Sequence, residues 1–255
     1  MKNLFKYILN TIPRPLLIKM SYWVRPIITF VLKGNRFTDP IDGKSFRTFL
    51  SYGYAINREN ALSPSTLSLE RHRLLWLYLQ RETDFFIKPQ KVLHFAPEQA
   101  FYKRFRKQEN LDYTTTDLFS PLADVKADIC DLPFEDNSFD TILCNHVLEH
   151  IPDDTKAMQE LYRILKPGGM AILQIPQDLE RDVTFEDDSI TGEKERTEIF
   201  GQYDHVRVYG LDYFDKLRSI GFIVKEEDYT ATFTVEELDK YCLMEGEIIP
   251  VCFKK

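Results

Sequence analysis

From Val92 to the end of the chain, short apolar runs alternate with helix-like segments, and this alternation limits the fold more than any other feature. VLHF, LDYTTTD, VKADI, FDTILCN, MAILQIP, GFIVKEE and EIIPVCFK read as seven strands. DDTKAMQELYRILKPGG reads as a helix closed by Gly168 or Gly169, residues 210–220 as another, and Thr234–Tyr241 as a third. Such alternation is the pattern of a doubly wound sheet with helices on its faces. In open sheets of this kind a nucleotide cofactor sits at the first strand-to-helix turn, usually on a glycine-rich loop. Here that turn lies in KVLHFAPEQAFYKRF, residues 91–105, and contains no glycine.

The segment before the alternation differs in character. Residues 68–81 (SLERHRLLWLYLQR) predict a helix that Ser68 can cap, and residues 37–67 read as irregular. In residues 2–11, Leu4, Phe5, Ile8 and Leu9 fall on one helical face, and Pro26 is expected to break any helix across 15–32. Three parts follow: a basic amphipathic helical extension over 1–36, an irregular segment over 37–67, and an α/β domain over 68–255.

Charge separates these parts. Residues 1–38 hold seven Lys and Arg and no acid, so with a net charge of −7 for the whole chain the remainder carries −14. An acidic body argues against a phosphate backbone as partner. Cys130, Cys144, Cys242 and Cys252 show no C-x-x-C spacing and read as small buried hydrophobes of a reducing, cytoplasmic compartment. No small-residue cleavage site follows the first apolar stretch. Lys19 and Arg25 interrupt the long apolar region, so neither a signal peptide nor a transmembrane helix is expected.

LKPGGMAILQIP, preceded by DLPFEDNSFDTILCNHVLEHIPD, resembles the second half of a class I S-adenosylmethionine-dependent methyltransferase, and the resemblance covers about residues 90–255. It implies a Rossmann-like, seven-stranded sheet with an antiparallel last strand, and S-adenosylmethionine as cofactor. Carried onto this sequence, it places His94, Ala96 and Glu98 at the acidic and first two glycine positions of the first loop, with Ala100 at the third. Asp117, followed by Leu118, would receive the ribose hydroxyls, since two adjacent donors want one bidentate carboxylate. Asp128 and Ile129 would read the adenine edge, and Asn145 and His146 would face the methionine part and the methyl group. Glu98 could turn its carboxylate to the cofactor ammonium, replacing contacts that glycine backbone would make.

HFAPE and FGQYDHVRVYGLDYFDKLRSIGF further resemble one methyltransferase-like subfamily that carries a small zinc ribbon, CPxCG…CPxC. The corresponding stretches here are Asp39-Pro40-Ile41-Asp42-Gly43 and Ser63-Pro64-Ser65-Thr66. No thiolate is present, and Asp with Ser and Thr is a poor zinc set, so a metal-free remnant with surviving turns is expected. His146-Val-Leu-Glu149-His150 matches H-x-x-E-H, a metallopeptidase motif. It starts at a strand end and stops by Pro152, too short for the long helix such a site needs, and no metal is assigned.

On the acceptor side His205 is the preferred base, with His146 as another candidate, Arg207 as a clamp for an anionic acceptor and Tyr209 beside them. The expected function is methyl transfer to a small-molecule, glycan or lipid-linked acceptor. The alternative is a non-catalytic binding module that keeps the fold. The basic head, with Trp23 and Tyr7 among its apolar groups, has the profile of a segment lying peripherally in an anionic membrane surface. Packing across the acidic domain is its other reading.

Overall fold

The structure, a computed structural model of the chain, describes residues 24–53 and 57–255. The face built from Leu4, Phe5, Ile8 and Leu9, with Trp23, lies outside the described residues. Residues 24–31 are helical, and Pro26 lies within that stretch rather than breaking it. Proline's fixed φ is itself helical. No helix among the described residues is long and apolar enough to cross a membrane.

By its internal contacts the chain forms two compact units. One holds the described residues up to Trp76 with Thr234–Met244; the other holds Leu77–Phe233 with Glu245–Lys255. In the first unit the stretch expected to be irregular contains two hairpins. β1 (Lys33–Thr38) pairs antiparallel with β2 (Ser45–Phe46), and β3 (Leu50–Tyr52) with β4 (Arg58–Leu62). Phe37, Phe46 and Phe49 form its small core. Arg73, on helix α1 (Glu70–Arg81), is fully buried. Its guanidinium donates to the carbonyls of Ala61, Ser68, Tyr241 and Cys242 at 2.9, 2.9, 2.7 and 2.6 Å.

The two stretches likened to metal-binding knuckles adopt the same turn. Asp39 N–H donates to Lys44 O and Gly43 N–H to Asp39 O; likewise Ser63 N–H donates to Ser68 O and Leu67 N–H to Ser63 O. The fifth residue of each turn, Gly43 or Leu67, has a left-handed φ of 71° or 60°. Glycine takes that conformation without cost and leucine does not. Between the turns the buried Asp39 carboxylate accepts from Thr66 Oγ1 at 2.5 Å, Ser68 Oγ at 3.1 Å and the Ile41 N–H at 2.9 Å. Ser68 therefore serves Asp39 rather than capping α1. The Leu69 N–H is taken instead by His72 Nδ1 at 3.0 Å.

The second unit contains β5 (Gln90–Phe95), α2 (Gln99–Phe105), β6 (Leu111–Thr116), β7 (Phe139–Cys144), α3 (Asp154–Ile164), β8 (Leu165–Ile172), β9 (Phe185–Glu186), α4 (Glu193–Phe200), β10 (Arg207–Val208), α5 (Tyr213–Ile220), β11 (Ile223–Glu227) and β12 (Ile249–Phe253). Six of its strands form one sheet in the order β11-β12-β8-β7-β5-β6. β6, β5, β7 and β8 are parallel, and the last strand, β12, runs antiparallel to both its neighbours. The sheet has six strands rather than seven because VKADI does not become a strand. It touches β6 only through a parallel bridge, Thr116↔Val125. Asp124 ends the pairing there: its carboxylate accepts the Thr115 N–H at 2.9 Å and the Thr115 hydroxyl at 2.8 Å, in place of further ladder bonds.

β7 is buried throughout its apolar end, with Ile142, Leu143 and Cys144 inaccessible, as central parallel strands are. α3 is capped by the Asp153 side chain, which accepts from Lys156 N–H at 2.9 Å. It lays Ala157, Met158, Leu161 and Ile164 on the core. The helix stops at Ile164, four residues before the expected glycine cap. Leu165 is already extended (φ −72°, ψ 135°), and Pro167 disfavours helix at the residue before it. LKPGG thus opens β8 instead of closing α3.

The Asp39 cluster yields the first test. Asp39→Ala leaves three donors without their acceptor and is expected to destabilise the first unit by about 3 kcal/mol. A urea titration followed by hydrogen exchange at Ile41 and Leu67 measures this; an unchanged midpoint would mean the turns hold without the carboxylate.

Candidate functional site

The carboxyl ends of β5, β6 and β7 lie side by side, in register His94↔Thr115 and Phe95↔Thr116 on one side and Phe95↔Cys144 on the other. Residues just beyond these ends are therefore neighbours, which is where open α/β sheets bind ligands. Ala96, directly after β5, has φ 44°. It takes the left-handed conformation that glycine supplies in glycine-rich loops, and its N–H donates to Thr116 O at 3.0 Å. The turn keeps a glycine shape without a glycine.

Glu98 braces this turn. Its Oε2 makes a short contact with His94 Nε2, and its Oε1 accepts from Asn145 Nδ2 at 3.2 Å. His94 is fully buried, and its other ring nitrogen meets Tyr113 Oη at 2.7 Å. Burial, then the Glu98 charge, pushes the Tyr113 phenol well above its ordinary value, so it stays neutral. The chain Tyr113–His94–Glu98–Asn145 joins β6, β5 and the end of β7. Glu98 thus bridges protein groups, a role the sequence did not suggest; a carboxylate with two oxygens can still accept more.

Two buried acceptors on this edge have no partner among the described residues: Asn145 Oδ1 and Thr116 Oγ1. Buried polar atoms are rarely left so unless a ligand or water meets them. Asp117 follows β6. Its Oδ1 accepts from the N–H groups of Phe119 and Ser120 at 2.7 and 2.6 Å, which fixes the next turn. Leu118 beside it is exposed. Asp128 is exposed and accepts the Cys130 N–H at 2.9 Å, whereas the Ile129 side chain is buried in the core.

The acceptor-side residues are arranged otherwise than expected. Arg207 is buried and clamps no open space. Its guanidinium donates to the carbonyls of Leu148, Ile151 and Pro152 at 3.1, 2.5 and 2.8 Å and to Glu186 at 2.9 Å. Tyr209 is inaccessible and donates to Asp154 Oδ2 at 2.8 Å; burial and Asp154 raise its phenol. Both are structural ties between the 148–154 segment and the returning chain. They are joined by the Val206 N–H bond to Glu149 O at 2.9 Å.

His146, directly after Asn145, takes a left-handed conformation (φ 53°), with its N–H on Gln174 O at 2.7 Å. Its Nδ1 lies 3.3 Å from Glu149 Oε1. Burial alone would raise the Glu149 carboxyl; the His146 hydrogen bond and the neighbouring imidazoles bring it below its ordinary value. His205 is almost buried, its Nδ1 on Phe200 O at 3.1 Å, and burial lowers its pKa. It stacks edge-on against His150, ring centroids 4.8 Å apart. The sequence reading assigned no metal, yet Glu149, His150 and His205 each place a ligand atom within 4.8 Å of the other two.

The sheet topology is that of a Rossmann-like α/β fold, and comparison with known proteins agrees with that fold. Residues 90–173 match the family model of the methyltransferase domain. Over 48 residues it is 50% identical to the demethylmenaquinone methyltransferase of Staphylococcus carnosus (strain TM300), covering 19% of this chain and 20% of that protein. The chain thus spans about a fifth of the length of the curated relatives it matches. Among solved structures it resembles the [4+2]-cyclase SpnF, with a TM-score of 0.51, 15% identity and coverage of 85% of this chain and 91% of that one. The 1,6-didemethyltoxoflavin-N1-methyltransferase of Burkholderia thailandensis, solved with S-adenosylhomocysteine, has a TM-score of 0.48 at 14% identity over 73% of this chain and 78% of its own.

The role of Arg207 as a tie is directly testable. Arg207→Ala removes a buried cation from the Glu186 and Asp154 carboxylates, 2.9 and 3.6 Å from its Nε, and from three carbonyls, and is expected to cost about 3–5 kcal/mol. Arg207→Lys, lacking the planar fork, should recover only part of it. Thermal melts of both variants, with exchange at the Val206 amide, check this; wild-type stability in Arg207→Ala would show the segment is held without the guanidinium.

Proposed function

We propose that the chain is an S-adenosylmethionine-dependent methyltransferase whose cofactor lies across the carboxyl ends of β5, β6 and β7. The observation that supports it most is the unpaired acceptor at Asn145 Oδ1 beside the Glu98 carboxylate. A buried carbonyl oxygen and a carboxylate together suit an ammonium group, such as that of the cofactor's methionine part. Asp117, with one oxygen committed to its turn, keeps the other for ribose hydroxyls, and Thr116 Oγ1 lies at the end of the same strand. Bound there, S-adenosylmethionine would supply a methyl group activated on a sulfonium. The residues' part is alignment: Ala96 shapes the turn, Glu98 and Asn145 fix the amino-acid end, and His146 lines the methyl side. Positioning of this kind supplies most of the rate when the leaving group is already good.

The acceptor in this reading is a small molecule, a glycan or a lipid-linked compound. A binding module without catalysis is the second reading, favoured by Pro97, which removes a backbone donor from the first turn. Calorimetry with S-adenosylhomocysteine tests the cofactor site. Saturable binding is expected, weakened by about 1–3 kcal/mol in Asp117→Ala and also weakened in Glu98→Gln. Absence of heat at millimolar ligand would overturn the cofactor reading. Binding without methyl transfer across a labelled-cofactor metabolite screen would favour the module.

A lipid-linked acceptor would suit the basic head. Ile27 and Phe30 are exposed on the helical residues 24–31, next to Lys and Arg. Each basic residue near an anionic leaflet adds about 1 kcal/mol. β1 starts at Lys33, so substitution is a cleaner probe than deletion. The full chain should float with phosphatidylserine vesicles at low salt, and a variant with Lys2, Lys6 and Lys19 changed to Glu should not; equal flotation would leave the head a packing element.

A further inference from the structure

We infer that Glu149, His150 and His205 form a binding site for a divalent transition-metal ion, built beside the cofactor edge and independent of it. Two imidazoles and one carboxylate are the donor set of zinc and of non-haem iron centres that keep open positions. The three ligand atoms already lie within 4.8 Å of one another. Around an ion with bonds of about 2.1 Å they would sit about 3.4 Å apart, a closure that small side-chain rotations supply.

The surrounding bonds are those of ligand-orienting groups. His205 Nδ1 faces Phe200 O at 3.1 Å, and His150 Nδ1 faces Asp204 O at 3.2 Å. An imidazole that donates Nδ1–H to a carbonyl presents the lone pair of Nε2, which is how metal-bound histidines are held. Asp204 Oδ2, 3.5 Å from His150 Nδ1, reinforces that tautomer. Glu149 is buried; Oε1 is held by His146, and Oε2 has no hydrogen-bond partner among the described residues. A buried carboxylate oxygen left unpaired is costly, and an ion would satisfy it.

The frame is rigid where it needs to be. Glu149 and His150 lie on the 3-10 turn Leu148–His150, and His205 arrives on a segment tied to that turn by Val206 N–H and Arg207. His146, which H-x-x-E-H spacing would make a ligand, instead orients Glu149. Three protein ligands leave positions for water or for an acceptor oxygen, so the ion would favour hydroxyl or carboxylate acceptors.

The test uses full-length protein stripped with chelator and desalted, with no cofactor present, so a failure of the cofactor reading does not bear on it. Calorimetry with zinc chloride should show one ion per chain, and cobalt(II) should give visible d–d absorption. Glu149→Gln and His205→Ala should weaken zinc at least about tenfold, while Cys130→Ser should not change it. His150→Asn, at the most exposed of the three positions, preserves the fold best. Unchanged zinc affinity in folded His150→Asn, or no saturable binding to the wild type, would overturn the site.

Discussion

The contact between Glu98 and its two partners, His94 and Asn145, ties the carboxyl ends of β5 and β7 together. Parallel strands end in open turns, and their separation beyond the last ladder bond is set by whatever spans them. A glycine-rich loop does this by bringing backbone close to a bound phosphate or carboxylate. Here the Glu98 side chain spans the gap. Ala96 takes the left-handed turn at some cost, and the Tyr113–His94–Glu98 chain fixes it from beneath. The edge is preorganised by carboxylate and imidazole instead of by glycine.

A carboxylate also ties loops together in the first unit. Two turns with matching hydrogen bonds and matching left-handed residues are joined by the Asp39 carboxylate and the hydroxyls of Thr66 and Ser68. A carboxylate with several hydroxyl and amide donors supplies directional bonds between two loops, as a metal with four ligands would, but with fewer contacts per centre. That the loop conformations need only such ties explains why Leu67 can hold the position where its counterpart is Gly43.

Much of the fold was legible in the sequence because burial on both faces writes strands as mainly apolar runs. Val92–Phe95 and Phe139–Cys144 are such runs, and both are strands. The boundary at Ile164 was misplaced because Gly168 and Gly169 mimic a helix cap, while the deciding residue was Pro167. The third strand failed through a side-chain bond, Asp124 to the Thr115 amide, which no periodicity reports. The two short hairpins of the first unit lack alternation long enough to read. Asp117 and Asn145 were legible as strand-end residues, whose place follows from topology. Partners were not: Glu98 meets a residue 47 positions away, and Arg207 meets carbonyls more than fifty positions back. Its charge and loop setting suggested an open clamp because sequence does not show carbonyls arriving from elsewhere.

HVLEHIPD shows why a spacing motif needs its surroundings. Two histidines four apart converge on one ion only when a helix puts them on one face. This segment makes a single 3-10 turn, and the left-handed His146 at its entry turns that ring back onto Glu149 instead. Glu149 and His150 remain adjacent and partly enclosed, and the second histidine is delivered by a segment 55 positions later. What aligns it is Arg207, two residues on, whose guanidinium makes four hydrogen bonds, three to the carbonyls of Leu148, Ile151 and Pro152 and one to Glu186. A guanidinium fits that task because three of the acceptors are backbone carbonyls fixed in space and its fork is rigid. The geometry of the Glu149, His150 and His205 cluster thus depends on a residue that touches none of its ligand atoms.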